Sequence, residues 1–254
     1  MVPADIISGN ITKFLMILLR TSVFLSVMPI IGSASLPGRF RVGIAIAFAA
    51  LLTPIVDIHA GNQDVAILVF REIIFGMSLG LTFRFIFLGI EMGGQKISES
   101  MGLSIATVFN PEFGQISGIS QFLAILSTLL FFAMDCHYDV IALFVRSYDL
   151  VPFGTNSDPG FLVKQGIALM GKMFVITLKV AAPIVVGMVT MNILLGFIVK
   201  ATPQVNIFFI GLPLYICLGF TILLLGIPAY VVLIGGSFSE IRVEMARIIG
   251  IAGR

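Results

Sequence analysis

Charge is what this 254-residue chain has least of. Asp, Glu, Lys and Arg together make up 11% of it, against about 25% in an ordinary soluble domain, so a mostly wet surface is excluded. Tryptophan is absent, and cysteine occurs twice, at Cys136 and Cys217. Two cysteines in or beside apolar runs make no disulfide framework and read as small buried hydrophobes. The missing tryptophan removes one usual marker of a lipid interface and fits a chain buried among other subunits. The net charge of +2 comes without any long basic run, which argues against a nucleic-acid partner. No Gly-x-Ser-x-Gly elbow, His-Glu-x-x-His pair or P-loop occurs, so the chemistry those motifs carry is missing and no enzyme is expected. The short alternating segments of a membrane barrel, about ten residues each, are missing too. No polar linker, internal repeat or low-complexity stretch divides the chain, so residues 1–254 read as one domain. No basic segment precedes the first apolar core in Met1–Thr12. A cleaved signal peptide normally shows one, so Met1 onward is expected to be retained.

What fills the chain is apolar. Hydrophobic residues make up 58% of it, and the mean hydropathy is +1.12. The apolar stretches run about Ile11–Ile31, Val42–Ile58, Val65–Ile90, Ile119–Met134, Cys136–Val151, Val163–Val199 and Val205–Ile234. A spanning helix needs about 20 such residues, so some runs are short and two are long. Pro183 interrupts one long run, and Gly226 with Pro228 the other. Proline removes a backbone donor and clashes with the preceding turn, which predicts kinks or breaks there. The fold expected is all-α: an integral membrane protein of about six to eight helices in hairpins, some broken.

Connectors rich in Gly and Pro separate the runs: Gly32 to Gly38, Asp57 to Asn62, and Pro152 to Gly160. Arg39 and Arg41 place the first on the cytoplasmic side, the stretch Asp57–Asp64 has no Lys or Arg and falls outside, and Arg242, Arg247 and Arg254 favour a cytoplasmic tail.

Several charges interrupt the apolar runs. Lys13 and Arg20, seven residues apart, share a helix face. Lys164, Lys172 and Lys179 form a basic stripe, and Arg71, Glu72 and Arg84 lie in the third run. Each such charge at the bilayer centre costs roughly 2.5–3.5 kcal/mol on insertion scales, so these residues are expected to face protein or water. Snorkelling from helix ends accounts for Lys13 and Lys164 but poorly for Lys172 and Lys179. Few acids in the chain are available to these bases, which points to acidic groups or helix C-termini on partner subunits.

One segment stands apart: Ile105-Ala-Thr-Val108-Phe109-Asn110-Pro111-Glu112-Phe113-Gly114-Gln-Ile-Ser-Gly118-Ile-Ser120. It is apolar yet broken by Asn110-Pro111, Gly114 and Gly118, and the residue before proline is pushed away from helix. Irregular backbone at membrane depth is tolerated only inside protein or beside water. Val108, Phe109 and Phe113 suit a constriction that excludes water and ions; Gly114 and Gly118 would give it backbone freedom. The plainer alternative is a connector that packs on its neighbours. Asn192, Gly196 and Lys200 recur every four residues on one helix face, suited either to packing on partner subunits or to packing within the chain.

These residues resemble the FliR family of flagellar type III export-gate proteins and its injectisome counterparts, over nearly the whole length. The likeness lies in Arg20 to Pro29 followed by Leu36-Pro37-Gly38 and Pro54, in Gly93-Gly94-Gln95 and Gly102-Leu103-Ser104 ahead of Asn110-Pro111, and in Ser147 with Val151-Pro152-Phe153-Gly154. The most specific stretch is Asn192-Ile-Leu-Leu-Gly196-Phe, then Ala201-Thr-Pro203-Gln204-Val-Asn206-Ile-Phe, then Gly211-Leu-Pro213-Leu; Phe238-Ser239-Glu240-Ile241 follows. Where relatives carry Asn-Gly-His, this chain has Asp135-Cys136-His137. Asp135, Cys136, His137 and, beyond Tyr138, Asp139 offer metal-ligating side chains, but their spacing matches no standard zinc pattern, so no metal and no cofactor is expected.

The resemblance implies a FliP-like part followed by a FliQ-like part, and one copy completing a helical ring with FliP and FliQ subunits, with FlhB around its base. Unfolded export substrates would cross this gate in the bacterial inner membrane, at the flagellar basal body, among membrane lipid. It also implies that the segment around Ala106–Ser120 is a pore plug, with Val108, Phe109, Asn110, Pro111, Glu112, Phe113, Gly114 and Gly118 as its residues. Lys172, Lys179, Asn192, Gly196, Lys200, Pro203, Gln204 and Asn206 are assigned to subunit packing. An injectisome export subunit is the near alternative. A secondary transporter, the more distant one, should show repeat symmetry and a midplane site, and the sequence shows neither.

Overall fold

A computed structural model describes residues 4–32, 36–56, 65–104, 117–153, 159–202, 204 and 207–252. Among them the chain is helical throughout, without strands. The helices are α1 (Ala4–Val27), α2 (Gly38–Leu52), α3 (Val65–Ser100), α4 (Gly118–Ala133), α5 (Cys136–Leu150), α6 (Pro159–Ala201) and α7 (Ile207–Ala252). In the described residues α3, α6 and α7 are each long and apolar enough to cross a membrane, and α4 with α5 makes a fourth span if that bent pair counts as one. The chain is an all-α membrane protein.

Helix ends follow local chemistry. Pro29 stops α1, and Gly32 closes the following turn by donating its N–H to Met28 O at 2.7 Å. At the end of α2 the Thr53 hydroxyl and N–H both bond Ala49 O, ahead of Pro54. The turn between α4 and α5 is made by Asp135, with φ of 55°. This left-handed conformation is one that Asp and Asn tolerate better than other side chains. The left-handed position is Asp135, and Cys136 after it already opens α5.

Of the kinks or breaks expected at the prolines, a break does not occur. α6 runs unbroken through Pro183, and α7 through Pro213 and Pro228. A break would strand several backbone groups where no water can take them up, whereas continuing through a proline forfeits one intrahelical bond. The interruption that does occur lies at Met134–Asp135, between two helices of 16 and 15 residues.

The chain forms two compact units. The first comprises Met1–Phe85, Asp135–Met170 and Ser239–Arg254; the second comprises Ile86–Met134 and Gly171–Phe238. α3, α6 and α7 thus contribute to both. In the first unit α1 packs on α2, and α2 buries Ala45, Ala49 and Leu52; small side chains let helices approach closely without a hydrophobic drive from water. Phe24 of α1 stacks on Phe144 of α5 at 4.5 Å and meets Phe83 of α3 edge-on at 6.4 Å. In the second unit Phe87, Phe131 and Phe238 form an aromatic trio with centroids 5.5 to 6.1 Å apart.

Candidate functional site

Residues 105–116, which hold Val108, Phe109, Asn110, Pro111, Glu112, Phe113 and Gly114, lie outside the described residues. Both stems of that segment are described, and both are built to stop a helix at a fixed place. Upstream, α3 ends in a paired cap: Leu103 N–H bonds Ser98 O and Gly102 N–H bonds Glu99 O, each at 3.0 Å. That pattern requires a left-handed residue after the last helical turn, and Gly102 supplies it with φ of 76°. Downstream, Ser117 caps α4: its side chain accepts from Ser120 N–H at 3.1 Å, satisfying one orphan donor of the first turn. Gly118, assigned to the plug, is the first residue of α4 and sits in open space.

The stems are also seated on neighbouring helices within the second unit. A Cβ placed on Gly94 of α3 would stand 2.5 Å from Ser120 Cα and 3.0 Å from Ser120 N. Only a glycine admits the start of α4 so close to α3. The Ser120 hydroxyl then donates to Glu91 O at 2.8 Å. On the other stem Met101 is wholly buried, with its side chain curled over Gly219 of α7. A Cβ there would lie 2.5 Å from Met101 Cε and 2.6 Å from both Cγ and Sδ. The tight crossing of α3 with α6 is separate from both stems: Thr177 Oγ donates to Gly89 O at 3.1 Å, and a Cβ on Gly89 would stand 2.9 Å from Met173 O.

The first unit holds a second polar cluster. Arg20 of α1 is wholly buried. It makes a two-pronged contact with Glu72 of α3, from Nη2 to Oε1 at 2.9 Å and from Nε to Oε2 at 2.5 Å. Its Nη2 also donates to Val151 O at 3.2 Å, and Nη1 reaches Ser147 O and Oγ at 3.4 Å. Phe75, Tyr148 and Phe153 surround the guanidinium with ring centroids 4.3 to 5.1 Å away. One side chain therefore neutralises the carboxylate and binds carbonyls at the end of α5. This corrects the sequence reading on one point: the acid facing Arg20 comes from its own chain. What the run pattern missed was the pairing, since Glu72 was visible as an intramembrane charge.

The remaining assigned residues divide. Lys164, Lys179, Lys200 and Gln204 are exposed, and Lys172 is half-buried. Gly196 is exposed, with no neighbour within 4 Å of the position a Cβ would take. Asn192 accepts a hydrogen bond from the Tyr215 hydroxyl of α7, so it joins α6 to α7 inside the chain. Pro203 and Asn206 lie outside the described residues. Asp139 binds Arg242 at 3.2 Å, and no cluster of metal-ligating side chains occurs among the described residues.

Comparison with known proteins finds relatives along nearly the whole chain. The family of bacterial export proteins, family 1, matches residues 11–241. The flagellar biosynthetic protein FliR of Bacillus subtilis is 26% identical over 251 residues, covering 94% of this chain and 95% of the relative. The protein of the same name from Escherichia coli is 28% identical, over 91% and 90% of the two chains. That of Pectobacterium carotovorum is 27% identical, over 94% and 93%.

Proposed function

The chain belongs to the bacterial export proteins, family 1, and from that membership we propose that it is a subunit of a flagellar type III protein export gate. In this reading one copy completes a helical pore with FliP and FliQ subunits, and FlhB joins at the base. Unfolded flagellar proteins pass through it across the bacterial inner membrane, at the flagellar basal body. The segment 105–116 is the plug: Val108, Phe109 and Phe113 hold a dewetted constriction shut at rest, and the passing chain displaces them. The part played is that of a conduit, with no bond made or broken.

The observation that carries this reading is how little of α6 and α7 the chain covers itself. Their apolar windows, of hydropathy 2.2 and 2.4, are each only 17% buried, against 61% for α3. Exposed Lys179 lies within the same surface as exposed Phe174, Leu178 and Val186. A lysine far from a helix end is costly against lipid, so further protein is the fitting cover. The shared name of the relatives supports the flagellar assignment.

The test is purification from native membranes followed by conductance. The chain is expected in a complex many times its 27.4 kDa mass. Deleting residues 106–116, which spares the Ser117 cap, is expected to leave that complex intact and raise its resting ion leak. A lone monomer, or an assembled deletion variant as tight as the native complex, would refute the reading.

A further inference from the structure

We propose that the uncovered face of α3 is a stretch of the water-filled wall of the export path, where Arg84, Glu91 and Gln95 meet the passing chain. This deepens the reading of the protein as a conduit subunit and rests on it.

α3 is the best covered of the three long apolar helices, and its two sides differ. Leu79, Phe83, Ile90 and Ile97 have no exposed surface. The uncovered side includes Met77, Leu81, Arg84, Leu88, Glu91 and Gln95, each exposed or half-buried, which by helical spacing fall within an arc of about 80°. A base, an acid and an amide thus share one face with two leucines. Arg84 lies more than four turns from either end of α3, too deep for snorkelling to account for it. Glu91 stands two turns further on, about 10 Å away, so the two charges do not neutralise each other. Among the described residues none of the three side chains has a hydrogen bond or an ion pair. The Ser120 hydroxyl takes only the backbone carbonyl of Glu91.

That combination decides what lies opposite. Lipid tails solvate neither charge, and intramembrane charges that face water mark the routes of ions and substrates. A helix laid on this face would have to bring an acid to Arg84 and a base to Glu91 at matching depths. Water satisfies both, and Gln95 with them. The uncovered face of α6 is of another kind: Phe174, Leu178, Val186 and Val189 stand out from it beside Lys179, and α6 has no Asp or Glu. That surface suits covering protein. A wall of both signs also suits an unfolded substrate. In water each charge is screened over about 8 Å, so a passing segment of either sign meets attraction and repulsion in turn and is not retained.

The experiment labels single cysteines in the assembled complex, in open membrane fragments whose two faces are both in reach of the reagent. Cys136→Ala and Cys217→Ala clear the background. Arg84→Cys, Glu91→Cys and Gln95→Cys probe α3, and Leu178→Cys and Val186→Cys probe the uncovered face of α6. The probe is a charged, membrane-impermeant methanethiosulfonate, which reacts with the thiolate. Apolar cover disfavours the thiolate, so the α3 positions are expected to react about tenfold faster than those on α6. An export substrate stalled by fusion to a folded domain is expected to slow labelling on α3 and leave α6 unchanged. Equal, slow labelling on both helices overturns the proposal, because subunit or lipid then covers α3. Fast labelling that a stalled substrate leaves untouched overturns it too, because the water on α3 then lies apart from the path. A chain found outside any large complex fails the conduit reading itself, and the proposal falls with it. Should the charge-removing variants not assemble, Leu88→Cys, on the same face, decides the matter.

Discussion

Arg20 and Glu72 lie 52 positions apart and meet in a two-pronged ion pair with almost no exposed surface. A buried pair is weak evidence of net stability, because burying two charges offsets most of their attraction. Breaking it is another matter. The Glu72→Ala variant leaves a guanidinium without its counter-charge among Phe75, Tyr148 and Phe153, and is expected to cost about 3–5 kcal/mol. Membrane level and thermal midpoint of the purified complex measure this. The double variant Arg20→Met, Glu72→Leu should recover most of the loss; a double variant as damaged as the single would contradict the account.

The Asp135 turn is a second point of strain. Asp135→Gly relieves a left-handed residue and is expected to keep or slightly raise thermal stability, whereas Asp135→Val should lower it by about 1–2 kcal/mol. Equal midpoints for the two variants would mean that φ at this position carries no energetic weight.

Asn192 and Tyr215 are expected to behave as a couple. Asn192→Ala and Tyr215→Phe should each lower stability by about 0.6 kcal/mol, an average for hydrogen bonds between membrane helices. Their double variant should lose no more than either alone. Full additivity in the cycle would show that the two side chains act separately.

Lys172 and Lys179 test the partner-facing surface. Replacing both by leucine is expected to reduce recovery of the large complex while leaving the level of the chain itself unchanged. Undiminished recovery would return the two lysines to a snorkelling role.

Much of the fold was legible in the runs of apolar residues. The stretches Ile119–Met134 and Cys136–Val151 coincide nearly residue for residue with α4 and α5. The stretch Val65–Ile90 marks the start of α3 but not its end, because its last turns carry Lys96 and Glu99 on the outside. The same limit hid Gly235–Ala252 of α7, where Phe238, Met245, Ile248 and Ile249 are buried and Glu240, Arg242 and Arg247 are exposed. A measure of mean hydropathy averages such a two-faced helix away, whereas its periodicity records it.

The residues that pair and seat the helices were legible in a different measure. Gly94 and Gly102 stood out in the motifs that carry the family resemblance, but their reasons, a backbone contact and a left-handed cap, belong to geometry. The pairing of Arg20 with Glu72, and the seating of Met101 on Gly219, depend on which faces of distant helices meet. No periodicity within one helix contains that information. Asn192 shows the same limit: it recurs with Gly196 and Lys200 at four-residue intervals, yet only its contact with Tyr215 reveals a bond made within the chain.

The first unit is assembled from Met1–Phe85, Asp135–Met170 and Ser239–Arg254, so its earliest-made helices wait for the latest-made turns. During synthesis Arg20 has no Val151 carbonyl to bind until more than half the chain has been produced. Met245, Ile248 and Ile249, buried in the same unit, are made later still. Until Ser239–Ala252 has been made, the helices of Met1–Phe85 therefore stand without part of the unit that they pack into.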